Sequence, residues 1–282
     1  MQLVHTVSAL RDALKAHTTT ALVPTMGNLH AGHISLIKLA QQHGQPVVAS
    51  IFVNPLQFGP GEDFERYPRT LDADCENLAA AGCSLVIAPD VSELYPQPQT
   101  FTVEPSAAFS NELCGLFRPG HFNGVATVVL KLFHLVQPRT ALFGRKDYQQ
   151  LLLVRELVRQ FNLPIEIIGG NTQRETDGLA MSSRNVFLSP AQRIQGGGLF
   201  RELNALIQAV MRGEQDFDAL AATATKHLKM AGWTVDYVTL RDADTLQPPR
   251  ADTRRIVALG AAWLGKTRLI DNIETSSPGL PG

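Results

Sequence analysis

Hydrophobic positions along this chain fall into two patterns, and the change between them comes near residue 170. In the first part, short unbroken apolar runs recur at Ala21-Leu22-Val23, Val47 to Val53, Leu85-Val86-Ile87, Thr140 to Phe143 and Ile165 to Ile168. Runs of that length without alternation suit strands covered on both faces, as in parallel sheets. Between them lie stretches with apolar residues at helical spacing. One runs from Ser8 to Lys15 with Leu10, Ala13 and Leu14; another reaches about Gln42 with Ile34, Ile37, Leu39 and Ala40. A third has Thr70 as its N-cap and Leu71, Cys75 and Leu78 turned inward, and two more span Asn123 to Val136 and Asp147 to Phe161. Repeated β-α-β units predict an α/β fold with a doubly wound, Rossmann-like parallel sheet. A proline-broken excursion from Pro89 to Arg118 interrupts the rhythm, and Phe101-Thr102-Val103 within it reads as an edge strand.

Beyond Gly170 two helical stretches, 190–212 and 216–231, precede extended runs at Thr234 to Leu240, Arg255 to Leu259 and Thr267 to Ile273. The expected organisation is therefore a Rossmann-like domain over 1–170 and a smaller α+β domain over 171–282, closing over a nucleotide. Gly196-Gly197-Gly198 stands in a predicted helix, where each glycine costs roughly 1 kcal/mol against alanine, and so marks a break between two helices.

In open α/β sheets ligands sit beyond the carboxyl ends of the strands, and that rule sorts the polar residues. His30 and His33 follow the first of these runs, Asn54 and Gln57 the second, and Gly144, Lys146 and Asp147 the fourth. Pro24-Thr25-Met26-Gly27-Asn28-Leu29-His30-Ala31-Gly32-His33 is the most informative stretch. Gly27 permits a tight turn, and Gly32 removes a side chain where a ligand approaches the backbone. The two histidines share one face at a helix start, whose N–H groups and dipole favour an anion. An isolated pair of this kind is as readily two surface histidines; the strand and glycine turn before it favour a nucleotide site. A second segment, Asp177-Gly178-Leu179-Ala180-Met181-Ser182-Ser183-Arg184-Asn185, gathers hydroxyls, amides and a guanidinium on a glycine-bearing loop, as a phosphate clamp does.

Composition narrows the class. The chain has 282 residues, 44% hydrophobic and 18% charged, with a formal net charge of −1 and a pI near 6.7. Nothing there argues electrostatically for nucleic acid or a membrane surface. Cys75, Cys83 and Cys114 lack metal-site spacing and leave one unpaired in any disulfide scheme, which favours a reducing compartment. The N-terminus lacks signal-peptide architecture and no apolar run reaches spanning length, so a cytoplasmic protein is expected.

His30-Ala31-Gly32-His33 is similar to the HxGH element of the nucleotidyltransferase superfamily, and Met181-Ser182-Ser183-Arg184 to its Lys-Met-Ser-Lys-Ser-type element. The fuller set adds Ile51-Phe52-Val53-Asn54-Pro55-Leu56-Gln57-Phe58, Arg118-Pro119-Gly120-His121-Phe122, Gly144-Arg145-Lys146-Asp147-Tyr148-Gln149-Gln150 and Thr267-Arg268-Leu269-Ile270-Asp271-Asn272. In this order and spacing, from about residue 20 to 273, the chain resembles the pantothenate synthetase family, the pantoate–β-alanine ligases.

The resemblance implies ATP, (R)-pantoate and β-alanine as substrates, a pantoyl-adenylate intermediate, magnesium accompanying ATP, and a homodimer. It assigns the ATP phosphates to His30, His33, Lys146, Ser182, Ser183 and Arg184, which are also the expected catalytic residues. The wider ATP site would include Met26, Gly27, Asn28, Leu29, Ala31, Gly32, Gly144, Arg145, Asp147, Gln173 and Met181. Gln57, Gln150 and Asn54 would hold pantoate, with Gln57 also reaching β-alanine. No protein ligand for magnesium follows from sequence. Arg145 stands where the family usually has glutamate, which adds a positive charge next to Lys146 unless its side chain faces away. Gln149 reads as solvated, Asn54-Pro55 also as a plain turn after a strand, and His121 as structural, with Arg118 the weaker site candidate. His5, His17, His43, His134 and His227 read as non-catalytic. The competing readings are another adenylyltransferase of the HxGH type, a tRNA synthetase, and a nucleotide-binding regulator without turnover.

Overall fold

A computed structural model of the chain describes residues 1–250 and 252–276. They form two units, the first comprising Met1–Arg145 and Gln149–Asn171, the second Lys146–Tyr148 and the chain from Thr172 onward.

The first unit is built on six parallel strands: β1 (Gln2–Val4), β2 (Ala21–Thr25), β3 (Val47–Ile51), β4 (Leu85–Ile87), β5 (Thr140–Gly144) and β6 (Glu166–Gly170). Their order across the sheet is β1-β4-β3-β2-β5-β6. Side chains alternate between faces along each strand. Val23, Val47, Ala49, Val86 and Leu142 pack with Leu36, Ile37 and Ala40 of helix Ala31–Ala40 and Leu78 of helix Leu71–Ala80. The intervening residues Leu22 and Val48 are buried as well, so these strands have no solvent face. That is why their sequences read as unbroken apolar runs rather than alternating ones. The chain leaves β2 for β3 and β4 on one side and returns to β5 on the other. Such a reversal opens a crevice at the carboxyl ends of β2 and β5, where the topology places a ligand.

Three details differ from the sequence expectations. Gln2–Val4 forms a strand beside β4, which the sequence pattern did not signal because three residues carry no readable period. Phe101 to Val103 forms no strand: the Val103 N–H donates to the Thr127 hydroxyl at 3.0 Å, and Phe101 is 88% exposed. One side-chain acceptor replaces the ladder partner that the segment would otherwise need. The Thr70 hydroxyl caps no backbone N–H and instead donates to the Asp74 carboxylate at 3.0 Å.

The second unit is an antiparallel sheet, β7 (Thr234–Asp242), β8 (Arg255–Leu264) and β9 (Thr267–Ser276), packed against helices Gly198–Met211 and Phe217–Met230. Its core holds Leu199, Leu203, Leu206, Ile207, Leu228, Trp233, Leu240 and Ile256. The triple glycine does separate helix Pro190–Gln195 from Gly198–Met211. A Cβ on Gly197 would lie 2.4 Å from the Asp177 carbonyl oxygen, and one on Gly198 would lie 3.3 Å from the Trp233 ring. Close packing is what the glycines permit, against their conformational cost.

Candidate functional site

The turn after β2 sets the geometry of the first unit's site. Gly27 has φ of 85° and Asn28 of 51°, two successive left-handed positions that glycine and asparagine tolerate best. The turn is gripped from beneath by Asp74, a carboxylate buried in helix Leu71–Ala80. Its two oxygens accept the Asn28 N–H at 2.9 Å and the Leu29 N–H at 2.8 Å, besides the Thr70 hydroxyl. An ideal Cβ on Gly27 would come within 3.1 Å of Asp74 Oδ2 and of Ile51. Asp74 is absent from the sequence-derived site, because a lone acid on an amphipathic helix reads as solvent-facing. Replacing it with alanine strands two half-buried N–H groups, each costing up to about 1–3 kcal/mol. Asp74→Ala is therefore expected to lower stability by a few kcal/mol and to weaken ATP binding, with Asp74→Asn intermediate. Denaturant melts and calorimetric ATP titration check both effects; unchanged ATP affinity in the alanine variant would remove Asp74 from the site.

Helix Ala31–Ala40 begins just past that turn, with His30 as its extended N-cap. The His30 Nδ1 accepts the Gly32 N–H at 3.1 Å, and His33 Nδ1 accepts the His30 N–H at 3.3 Å. A ring nitrogen that accepts from an N–H carries no proton, so each neutral imidazole holds its proton on Nε2. The cap thus engages the Nδ1 of both rings and fixes their tautomers. The rings lie 4.1 Å apart between centroids, so the two imidazoles stand close together at a helix N-terminus.

Beyond β3, Pro55–Gln57 forms a single 3₁₀ turn capped by Asn54. Asn54 and Gln57 are both buried, and the Gln57 Nε2 lies 3.0 Å from Met26 Sδ, so the amide pair and the glycine turn adjoin. Helix His121–Val136 comes close to this turn because Gly124 has no side chain: a Cβ there would lie 2.1 Å from the Leu56 carbonyl oxygen. The His121 Nδ1 and an Arg118 NH2 group sit 2.9 Å and 3.3 Å from the Gln57 carbonyl oxygen, and Arg118 pairs with Glu62 at 2.6 Å. His121 and Arg118 therefore support Gln57.

Gln149, expected in solvent, is buried. Its Oε1 accepts the Cys114 N–H at 3.0 Å and its Nε2 donates to the carbonyls of Phe109 and Glu112, tying down the excursion before Arg118. Gln150, its neighbour on helix Tyr148–Gln160, is half-buried. Gly144 ends β5. The Arg145 N–H continues the ladder to the Gly170 carbonyl at 2.8 Å, and its Nε donates to the Gly169 carbonyl at 3.3 Å, so this side chain folds back over β6.

The remaining site residues belong to the second unit: Lys146, Asp147, Gln173 and Met181 to Arg184. Here the sequence reading missed the residues that hold the others. Arg174 forks onto Asp271, 2.6 Å and 2.9 Å to its two oxygens, and lies 4.3 Å over the Phe200 ring. Burial pushes the Asp271 carboxyl above its ordinary range, while Arg174 and the Asn272 N–H pull it back. Asn272 then donates from Nδ2 to the Lys146 carbonyl at 2.8 Å. Arg174 also donates to the Gly178 carbonyl and bridges Ala180, and the Met181 N–H reaches the Gln173 carbonyl at 2.9 Å. Past that point the Ser182 hydroxyl accepts the Arg184 N–H and starts the 3₁₀ turn Ser183–Phe187. The Arg174–Asp271 pair thus anchors the segment leading into the Met-Ser-Ser-Arg loop, and the adjacent Asn272 holds the Lys146 backbone. Among the described residues no group of three or more His, Cys, Asp or Glu is arranged to hold a metal, and no helix is long and apolar enough to cross a membrane.

The family model described as pantoate-beta-alanine ligase matches residues 2–274. Pantothenate synthetase of Thiobacillus denitrificans is 65% identical over 277 residues, 98% of each chain. That of Methylobacillus flagellatus is 53% identical over 276 residues, 98% of this chain and 99% of the relative. Among solved structures, pantothenate synthetase from Thermus thermophilus superposes with a TM-score of 0.93 at 44% identity, over 97% of this chain and 99% of the other. Pantoate-beta-alanine ligase from Francisella tularensis, complexed with beta-gamma ATP and beta-alanine, superposes with a TM-score of 0.81 at 33% identity, over 97% of each.

Proposed function

Since the chain belongs to the pantoate-beta-alanine ligase family, we infer that it condenses pantoate with β-alanine at the expense of ATP, giving pantothenate, AMP and pyrophosphate. The observation that carries this reading is a family match over nearly the whole chain, joined to two adjacent imidazoles that cap a helix N-terminus.

The chemistry asked of the residues follows. A pantoate carboxylate oxygen attacks the α-phosphorus of ATP, the bond to the β-phosphate oxygen breaks, and pyrophosphate leaves with its electron pair. The β-alanine amine then attacks the acyl carbon of the adenylate, loses a proton, and expels AMP. In the first step two anions must meet, so catalysis is mainly charge neutralisation and alignment. We assign the phosphates to His30, His33, Lys146, Ser182, Ser183 and Arg184. Met26, Gly144, Asp147, Gln173 and Met181 are assigned to the adenosine. Gln57, Gln150 and Asn54 are assigned to pantoate, and Gln57 also to β-alanine. Support comes from the adjacency of Gln57, Asn54 and Met26 to the histidine turn, and from the Francisella ligase, which is complexed with beta-gamma ATP and beta-alanine.

Magnesium would accompany ATP in this reading and would supply neutralisation of phosphate charge when bound. The family likeness further supports a homodimer working in the cytoplasm. Pantoate-dependent exchange of labelled pyrophosphate into ATP, without tRNA or β-alanine, tests the activity. Exchange that ignores pantoate, or needs a phosphorylated acceptor, would replace this reading with another adenylyltransferase.

A further inference from the structure

Gln57 carries an amide whose two ends have opposite hydrogen-bonding character, so its orientation decides what it recognises. Backbone groups settle that orientation, because they cannot exchange roles. The Asn54 Oδ1 accepts the Leu56 N–H at 3.3 Å, and Asn54 Nδ2 donates to the Gly124 carbonyl at 3.1 Å. With Asn54 fixed in this sense, the second Nδ2 proton goes to Gln57 Oε1 at 3.1 Å. Gln57 Nε2 is then the outward end, against Met26 Sδ, a weak acceptor that a ligand oxygen would displace. Turning the Gln57 amide over would set NH2 against NH2 in a buried place, unless Asn54 turned as well.

Tyr95, on no site list above, locks Asn54. Its hydroxyl donates to Asn54 Oδ1 at 2.9 Å, shorter than the Leu56 bond to the same atom. The ring is held between Phe52, 5.8 Å away, and the Lys131 ammonium, 4.6 Å from its centroid. Burial pushes its pKa well above the ordinary phenol range, so the hydroxyl remains a donor at working pH.

We propose that Tyr95 is a positioning residue: through Asn54 it holds Gln57 with its NH2 donors toward the bound acid, making position 57 select an acceptor oxygen on the substrate. This rests on the assignment of Gln57 to pantoate. Tyr95→Phe removes the hydroxyl and keeps the ring. The pantoate KM is expected to rise about five- to tenfold, the scale of one buried hydrogen bond. ATP KM, kcat at saturation and the melting temperature stay close to those of the parent enzyme. In the ligand-free protein, the Asn54 side-chain amide protons exchange with solvent about tenfold faster, read by ¹⁵N NMR. The exchange measurement needs no substrate. It therefore reports on the relay even if the parent enzyme proves inactive with pantoate, a result that would sink the functional assignment instead. Unchanged amide exchange, or equal rises in the pantoate and ATP KM values, would overturn the proposal.

Discussion

His33→Asn lowers single-turnover adenylate formation by about 10²–10³, the usual scale for losing one preorganised donor, and leaves the fold intact. The side chain of asparagine places an acceptor close to the Nδ1 position, so the bond from the His30 N–H survives. It has nothing at the position of Nε2. His33→Gln has the opposite profile: an amide NH2 extends toward the Nε2 position while the cap is lost. If the ring serves as a phosphate donor, the glutamine variant retains more adenylation than the asparagine variant although it melts lower. If the ring serves only as a cap, the order of activities is reversed. His30→Asn and His30→Gln give the same contrast through the Gly32 N–H. Rapid-quench measurement of adenylate alongside thermal melts separates the two roles. A His33→Asn enzyme with unaltered adenylation would remove His33 from the chemistry.

The histidine turn was legible in the sequence because its signals are local: an apolar strand, two residues that accept positive φ, and two histidines at helical spacing all lie between Ala21 and His33. The alternation of strands and helices was legible for the same reason, and so was the helix break at Gly196 to Gly198. What holds the site together was not. Asp74 reaches the turn across 46 residues, Tyr95 reaches Asn54 across 41, and Arg174 reaches Asp271 across 97. Asp74 is a single acid in a helix whose periodicity explains it as surface, while Tyr95 and Arg174 lie in irregular stretches that carry no period at all. Gln149 reads as solvated from sequence for the same reason as Asp74, since an amide opening an amphipathic helix shows no sign of the three backbone groups it satisfies. The Asp271-Asn272 motif was visible as a resemblance, but its purpose emerged only when Arg174 and the Lys146 carbonyl were found against it. Local pattern points to where a ligand would be met. The groups that fix the orientation of the ligand's contacts are set by long-range pairing, which one sequence does not display.

Lys146→Ala is expected to slow pyrophosphate release by about 10³ with substrates saturating, since a cation facing the departing group counts most as negative charge builds on it. An acyl adenylate is prone to hydrolysis, so the enzyme is expected to make it in a site shielded from water and keep it until the amine arrives. Without β-alanine, the parent enzyme should therefore give a burst of about one pyrophosphate per site and then stall. Lys146→Ala loses that burst, yet converts preformed pantoyl adenylate and β-alanine to product at close to the parent rate, because pyrophosphate has no part in the second step. Asn272→Ala acts on the same lysine from behind. It frees the Lys146 carbonyl while leaving the Arg174–Asp271 pair in place. Its burst is slower by about tenfold, the effect of a misplaced rather than a missing group, and its melting temperature stays near the parent value. Rapid quench of each half-reaction decides the matter. Equal losses in both halves for Lys146→Ala would show that the lysine holds the adenylate in general. Pyrophosphate appearing only when β-alanine is present would exclude the stepwise route altogether.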